Sequence, residues 1–265
     1  MGFGINNVQT LVNLDRNFPE LFHSKAKVLE FGDQKIYVDK EILQQLIQHN
    51  LELKNSQPYD SKILWNALGV QNIKKIDGFD APEVINLNLN DLSIDLNENF
   101  DIVTDLGNNE HLFFPGNAYR IMHNCTNTGG LIWIDQMLIS GNGMWNYDKN
   151  FFYALAQTNR YRIIEAYYVV GHKHGVPNQF KLPINVDLLK LINFNSIASL
   201  GIGFIFQKKY DEKFVIPHQI PTGYGTYTYV NENQFNSFNT PAEDVQKLNL
   251  TSKIKSKITK TLKYF

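Results

Sequence analysis

The sequence is short of several things, and each absence narrows the reading. It holds one cysteine, Cys125, which excludes an intrachain disulfide and any cysteine-built metal cage. Charge of one sign is not in excess: 25 Lys and Arg stand against 26 Asp and Glu, a formal net charge of −1. No general attraction to nucleic acid or to an anionic membrane follows, and no nucleic-acid partner is expected. No apolar run approaches the length of a membrane span. The opening MGFGINNVQTLVNLDRNF lacks the basic-then-apolar pattern of a signal peptide. Asn6 stands where a myristoylation motif wants Ser or Thr, so the cytoplasm is the expected compartment. Glycine is thin where a nucleotide loop would need it: no Gly-x-Gly-x-x-Gly and no P-loop follows the first strand.

What is present is an ordinary globular composition, 43% hydrophobic and 19% charged. Asparagine is frequent, which we read as compositional bias. The chain opens with a helix and loop over residues 1–25. Lys27 to Gln34 (KVLEFGDQ) then reads as a buried strand running into a glycine turn. Apolar residues at helical spacing predict helices over 39–53, 115–123 and 149–157. A further helix is expected over 61–68, capped by Ser61 and ended by Gly69. Strands are expected at 72–76, 83–87, 100–105, 131–135, 162–170 and 201–207. Gly129-Gly130 should lead into the one at 131–135. Such alternation implies crossover connections and a mainly parallel sheet. No internal repeat or long linker divides the chain. One domain is expected over 1–265, with its core at about 27–207 and a C-terminal extension at 208–265. The Lys-rich stretch from Lys253 to Lys263 reads as a solvated face or tail.

In an open parallel sheet, ligands bind at the carboxyl ends of the strands. Polar residues fall at four such ends: Gly32-Asp33-Gln34, Asp77-Gly78, Asn86 to Asn88, and Asp105. A nucleoside ligand suits that set. Glycine lets backbone approach, an acid after the second strand accepts from ribose hydroxyls, and a polar residue after the third addresses the base. Taken singly, Asp33 is as well explained as a helix cap, Asp77-Gly78 as a turn pair, and Cys125 and His123 as packing residues. His172 and His174 form a His-x-His pair without a third ligand, so no metal is expected.

The segments VLEFGDQ, ALGVQNIKKIDGFDAPEVINLN, FDIVTDLGNNEHLFFPGNAYRIMHNCTNTGGLIWI and GMWNYDKNFFYAL resemble a bacterial branch of class I S-adenosylmethionine-dependent methyltransferases. Members of that branch often stand among genes for surface glycans and secondary biosynthesis. The resemblance covers about residues 27–170. It implies an α/β fold, a doubly wound Rossmann-like methyltransferase sheet, mainly parallel, with helices on both faces. It implies S-adenosylmethionine as cofactor and a small-molecule or glycan acceptor methylated at oxygen. By position it implies that Glu30 and Gly32, with Asp33 and Gln34, form the loop for the methionine part. Asp77, with Gly78, would bind ribose, and Asn86 and Leu87 adenine. Asp105 and Leu106 would face the sulfonium, and Glu110 and His111 would be the catalytic pair, with histidine the better proton acceptor near its ordinary pKa of about 6.5. Glu110 and His111 follow the fourth strand by a Gly-Asn-Asn turn and are expected to open the next helix. The aromatic segments Trp145 to Tyr147 and Tyr224 to Tyr229 would wall the acceptor site. Three departures stand out: one glycine in the first loop, Asn86 where the family usually has an acid, and about 45 residues between Gly32 and Asp77 against roughly 20 in a standard dinucleotide fold. They leave open a catalytically degenerate partner protein. A sugar-nucleotide enzyme is a further alternative, opposed by the missing phosphate loop.

Overall fold

The structure, a computed structural model, describes residues 2–48, 58–139, 143–172, 179–188 and 194–218. The expectations for His174, for Tyr224 to Tyr229 and for Lys253 to Lys263 lie outside these residues, as does the end of the helix expected over 39–53.

The elements follow from local chemistry. Strand β1 (Gly2–Phe3) leads into helix α1 (Ile5–Asn17), and β2 (Lys27–Phe31) into the short β3 (Lys35–Ile36). Helix α2 (Lys40–Ile47), β4 (Tyr59–Asp60) and helix α3 (Lys62–Ala67) follow. Gly69, at φ +88°, ends α3, a backbone that L side chains rarely adopt. Strands β5 (Asn72–Asp77), β6 (Ile85–Asn86) and β7 (Phe100–Leu106) come next. Helix α4 (Pro115–Cys125) opens on a proline, whose missing N–H costs nothing there. Strand β8 (Thr126–Ile139) precedes helix α5 (Lys149–Thr158), which Asp148 caps by accepting the Asn150 N–H at 2.8 Å. Strands β9 (Arg162–His172), β10 (Gln179–Pro183) and β11 (Ile197–Gln207) complete the described strands. Among these residues no helix is long and apolar enough to cross a membrane.

One eight-stranded sheet orders these strands β10-β9-β11-β8-β7-β2-β5-β6. The run from β6 through β5, β2 and β7 to β8 is parallel. Strand β11 lies antiparallel between β8 and β9, and β10 pairs antiparallel with β9. A small sheet, β1-β3-β4, stands beside it.

Strand alternation builds a core on each face. Val28, Ile102, Leu131 and Trp133 point to one side and pack with Leu11, Leu43 and Trp65 of α1, α2 and α3. Their neighbours Leu29, Val103, Ile132 and Ile134 point to the other side and pack with Met122 and Phe152 of α4 and α5. Each such large apolar side chain contributes about 1.5–3 kcal/mol on burial. The result is a doubly wound, Rossmann-like α/β sheet with helices on both faces.

Four local expectations are corrected. Ser61 does not cap α3 through its side chain, because its hydroxyl donates to Glu30 instead, at 2.6 Å. Gly129-Gly130 lies inside β8 rather than before it. Gly129 takes φ +89° where the pairing with β7 shifts register, and a Cβ on Gly130 would meet the Asp101 carbonyl at 2.7 Å. The third strand is shorter than expected: Glu83 takes φ 63°, and pairing begins at Ile85. Glu110 and His111 lie in a 3-10 turn over Asn109–His111, and α4 begins only at Pro115.

Candidate active site

Chain order runs outward from β2 in both directions, to β5 and β6 on one side and to β7 and β8 on the other. The carboxyl ends of β2 and β7 therefore flank the crevice where such sheets hold ligands. Gly32 closes β2 there at φ +88°. A Cβ on it would meet the Asn108 side chain at 3.5 Å, ordinary contact, so the backbone angle and not crowding calls for glycine.

The thin glycine loop is held by side chains. The Asp77 carboxylate, at the end of β5, accepts the Asp33 N–H at 3.1 Å. The buried Gln34 amide donates to the Thr104 hydroxyl at 3.0 Å and to the Phe31 carbonyl at 3.3 Å. Gln34 is thus turned beneath the loop, and its amide is committed to β2 and β7.

Glu30 is likewise turned inward. It accepts from the Trp65 indole at 2.7 Å and from Ser61 at 2.6 Å, and it is fully buried. Burial pushes its pKa up to about 7, against the pull of those bonds and of Lys75. The Lys75 ammonium lies 3.9 Å from Glu30, 3.1 Å from Asp33 and 2.9 Å from Asp60. Lys35 pairs with Asp33 at 2.9 Å and with Asp60 at 3.3 Å. Lys35 of β3 and Lys75 of β5 are thereby matched by carboxylates, and Glu30 supports the loop from below through this cluster.

At the next strand end, Leu87 donates its N–H to the Asp77 carbonyl at 2.8 Å, which ties the two positions together. The exposed Asn86 amide donates to Asp80 at 2.7 Å. Nothing lies within 4 Å of a Cβ built on Gly78.

Asp105 is buried beneath the far side of the crevice. It accepts the N–H groups of Asn108 at 2.8 Å and Asn109 at 3.3 Å, and the Gln136 amide at 2.7 Å. Burial again dominates and raises its pKa to about 7. Gln136 passes the connection on, its oxygen accepting the Glu110 N–H at 3.0 Å. The Glu110 carboxylate accepts the Met137 N–H at 2.7 Å, and burial raises its pKa too. His111 Nε2 stands 3.6 Å from Glu110 Oε1, with its side chain partly exposed.

A cavity of about 650 Å³ opens on this side, lined by Gly4, Asn7, Leu106, Glu110, Asp135 and Ile202 among others. Of the residues expected at the site, Leu106 and Glu110 line it, while His111, Gly32, Asp77 and Asn86 do not. Sequence reasoning missed Asp135. Its carboxylate accepts from the Tyr167 hydroxyl at 2.7 Å and the Asn7 amide at 2.5 Å, and burial raises its pKa. The same strand-end rule that singled out Asp105 would have found it, since Asp135 closes the apolar run LIWID. Asn7 gave no such signal, because only folding brings α1 to β8.

No protein-family model matches the chain, and no curated protein matches it. Similar solved structures include TehB from Haemophilus influenzae, at 12% identity and TM-score 0.44, covering 74% of this chain and 62% of that one. YcgJ from Bacillus subtilis is similar at 9% identity and TM-score 0.46, covering 78% of this chain and 100% of that one. The N-methyltransferase NodS from Bradyrhizobium japonicum, solved with S-adenosyl-L-homocysteine, gives 10% identity and TM-score 0.38 over 77% and 86%.

Proposed function

We propose that this protein is an S-adenosylmethionine-dependent methyltransferase acting on a hydroxyl of a small molecule or glycan. The observation that carries the reading is the set of acceptors along the carboxyl edge of the sheet. Asp33 and Asp77 stand at the ends of β2 and β5, burial holds the Asp105, Glu110 and Asp135 carboxyls toward the neutral form, and the nearby Lys35 and Lys75 are spent on Asp33 and Asp60. With those two lysines paired, the edge suits a ligand bearing ribose hydroxyls better than a polyphosphate. Gly32 at positive φ and Asp77 beside it fit that ligand.

The cofactor, when bound, would supply an electrophilic methyl group on a positively charged sulfur. The chain's own work is to bind, orient and take up a proton. Asp77 would accept from the ribose hydroxyls, the Gly32 backbone would lie against the amino-acid part, and Asn86 and Leu87 would border the base. Leu106 and Gly107 would form the boundary between cofactor and cavity. Glu110 faces the cavity with a raised pKa and would hold the acceptor's proton at Oε1. His111, 3.6 Å away and partly exposed, would pass that proton to solvent.

A catalytically degenerate partner protein is the second reading, favoured by the bond that Asp77 already makes within the loop. Calorimetric titration with S-adenosylhomocysteine separates the two. Binding is expected, with none for a sugar nucleotide; absence of binding overturns the enzyme reading.

A further inference from the structure

Large contiguous apolar patches are rare on monomer surfaces, and one that does occur marks a face that something covers. Phe113, Phe114, Met144 and Trp145 are 64%, 50%, 58% and 45% exposed, and they stand together on the loops that follow β7 and β8. The Trp145 indole donates to the Leu112 carbonyl at 2.7 Å, and the Met144 N–H donates to the Glu110 carbonyl at 2.7 Å. The Phe113 and Phe114 rings meet edge-on at 4.8 Å. Bonds between the two loops thus hold the four side chains as one surface. It lies at the amino-terminal ends of α4 and α5, beside Glu110 and His111.

The exposed charge on this edge is mainly negative. Asp80, Asp91 and Asp148 are exposed, and bonds from Ser93 hold Asp91 below the ordinary carboxylate range. Arg120 of α4 is committed to the Leu92 and Ile94 carbonyls at 3.2 and 2.6 Å, which leaves Lys149 and a protonated His111 as the cations nearby. A second copy of the chain would set these acids against one another. An apolar segment flanked by positive charge suits the face better.

The chain itself carries such a segment. Residues 253–265, outside the described residues, hold five lysines and no acid, and Ile254, Ile258 and Leu262 recur every fourth residue ahead of Tyr264 and Phe265. The segment can reach the patch. Residues 212–215 are bound at the far ends of α4 and α5: the Glu212 carbonyl accepts from His123 Nε2 at 2.7 Å, and the Val215 N–H donates to Asn159 at 2.8 Å. From there the patch is one helix length away, about 15 Å. The described residues end at His218, and the 35 residues from 219 to 253 span about 50 Å even at the helical rise.

We propose that residues 253–265 dock on the patch formed by Phe113, Phe114, Met144 and Trp145. The lysines then face Asp91 and Asp148, and the segment borders the strand end that carries Glu110. This docking does not depend on the cofactor reading.

Trp145 reports on the patch directly, because the other two tryptophans, Trp65 and Trp133, are fully buried. Acrylamide quenching of the full chain should find Trp145 shielded. Ile258→Asp should shift the docked equilibrium about 10- to 100-fold toward release, the worth of one buried isoleucine, and raise quenching to that of an open indole. Lys257→Glu together with Lys260→Glu should release the segment in part, and 1 M salt, which cuts the screening length to about 3 Å, should match that variant. Phe113→Ser, on the receiving side and exposed, should open Trp145 without lowering the melting temperature. A wild-type Trp145 already as open as in Ile258→Asp overturns the proposal. Shielding that is lost on dilution, with a two-chain mass by sedimentation, assigns the cover to a second copy and overturns it too. So does a chain retained by phosphatidylserine vesicles with Trp145 left open, which assigns the segment to a membrane surface.

Discussion

Replacing Asp77 tests the nucleoside site most directly, because its carboxylate has one bond within the protein and room for more. One oxygen accepts the Asp33 N–H at 3.1 Å, and no other hydrogen bond to this carboxylate is made among the described residues. Asp77→Ala removes the loop tether together with the proposed ribose bonds, whereas Asp77→Asn keeps an oxygen for Asp33. Hydrogen bonds to a charged acceptor are worth about 1.5–3 kcal/mol each. Asp77 is only partly buried, so the lower end applies, and two ribose bonds amount to about 3 kcal/mol, roughly 100-fold in affinity. Asp77→Ala should therefore weaken S-adenosylhomocysteine about 100-fold by calorimetry. It should also lower the melting temperature by about 2–4 °C, as one lost bond of about 1 kcal/mol does in a chain of this size. Asp77→Asn should lose about 10-fold in affinity, with the melting temperature nearly unchanged. A 2′,3′-dideoxy analogue completes a double-mutant cycle: it should bind wild type and Asp77→Ala alike. Wild-type affinity for S-adenosylhomocysteine in Asp77→Ala refutes the placement of ribose at β5.

Gly32→Ala has space for its methyl group, so its cost is the backbone angle alone, about 1–2 kcal/mol, readable as a lower denaturation midpoint; a neutral result would refute the strain account. Glu30 has its pKa raised by burial to about 7, so its contribution to stability is fully present below the unfolded value near 4.5 and is lost as pH rises through about 7. Glu30→Gln removes that share, and the Ser61 hydroxyl can rotate to accept from the new amide. The variant should gain on wild type by roughly 1 kcal/mol per pH unit across that window, measured by urea denaturation. A difference independent of pH would disprove the burial argument. Glu110→Gln preserves an acceptor for the Met137 N–H and should leave cofactor affinity intact while lowering turnover about 10²–10⁴-fold on a hydroxyl acceptor. His111→Ala should cost less, and near-normal turnover in Glu110→Gln would remove Glu110 from the chemistry.

Local pattern made much of this fold legible. Short apolar runs in KVLEF, FDIV and LIWI declare strands buried on both faces, and those strands stand side by side in the parallel half of the sheet. Gly32 and Gly69 announce positive φ, and Pro115 and Asp148 mark helix starts, because each such signal acts within a few residues of itself. The acids at strand ends were equally visible, since strand polarity alone sends them to one edge.

What pattern could not carry is where a polar side chain spends its bonds. Glu30 on β2 and Gln34 in the loop stand within four residues of Asp33, yet Trp65 and Thr104, 35 and 70 residues away, draw their side chains inward. Asn7 meets Asp135 across 128 residues to close the cavity wall. Strand β11 enters between β8 and β9 although it is the last described strand in the chain. Periodicity reports which face of an element is apolar, a property of neighbours in sequence. The partner of a buried donor or acceptor is chosen by proximity in space, so only the tertiary structure could separate the polar residues that hold the loop from those left free for a ligand.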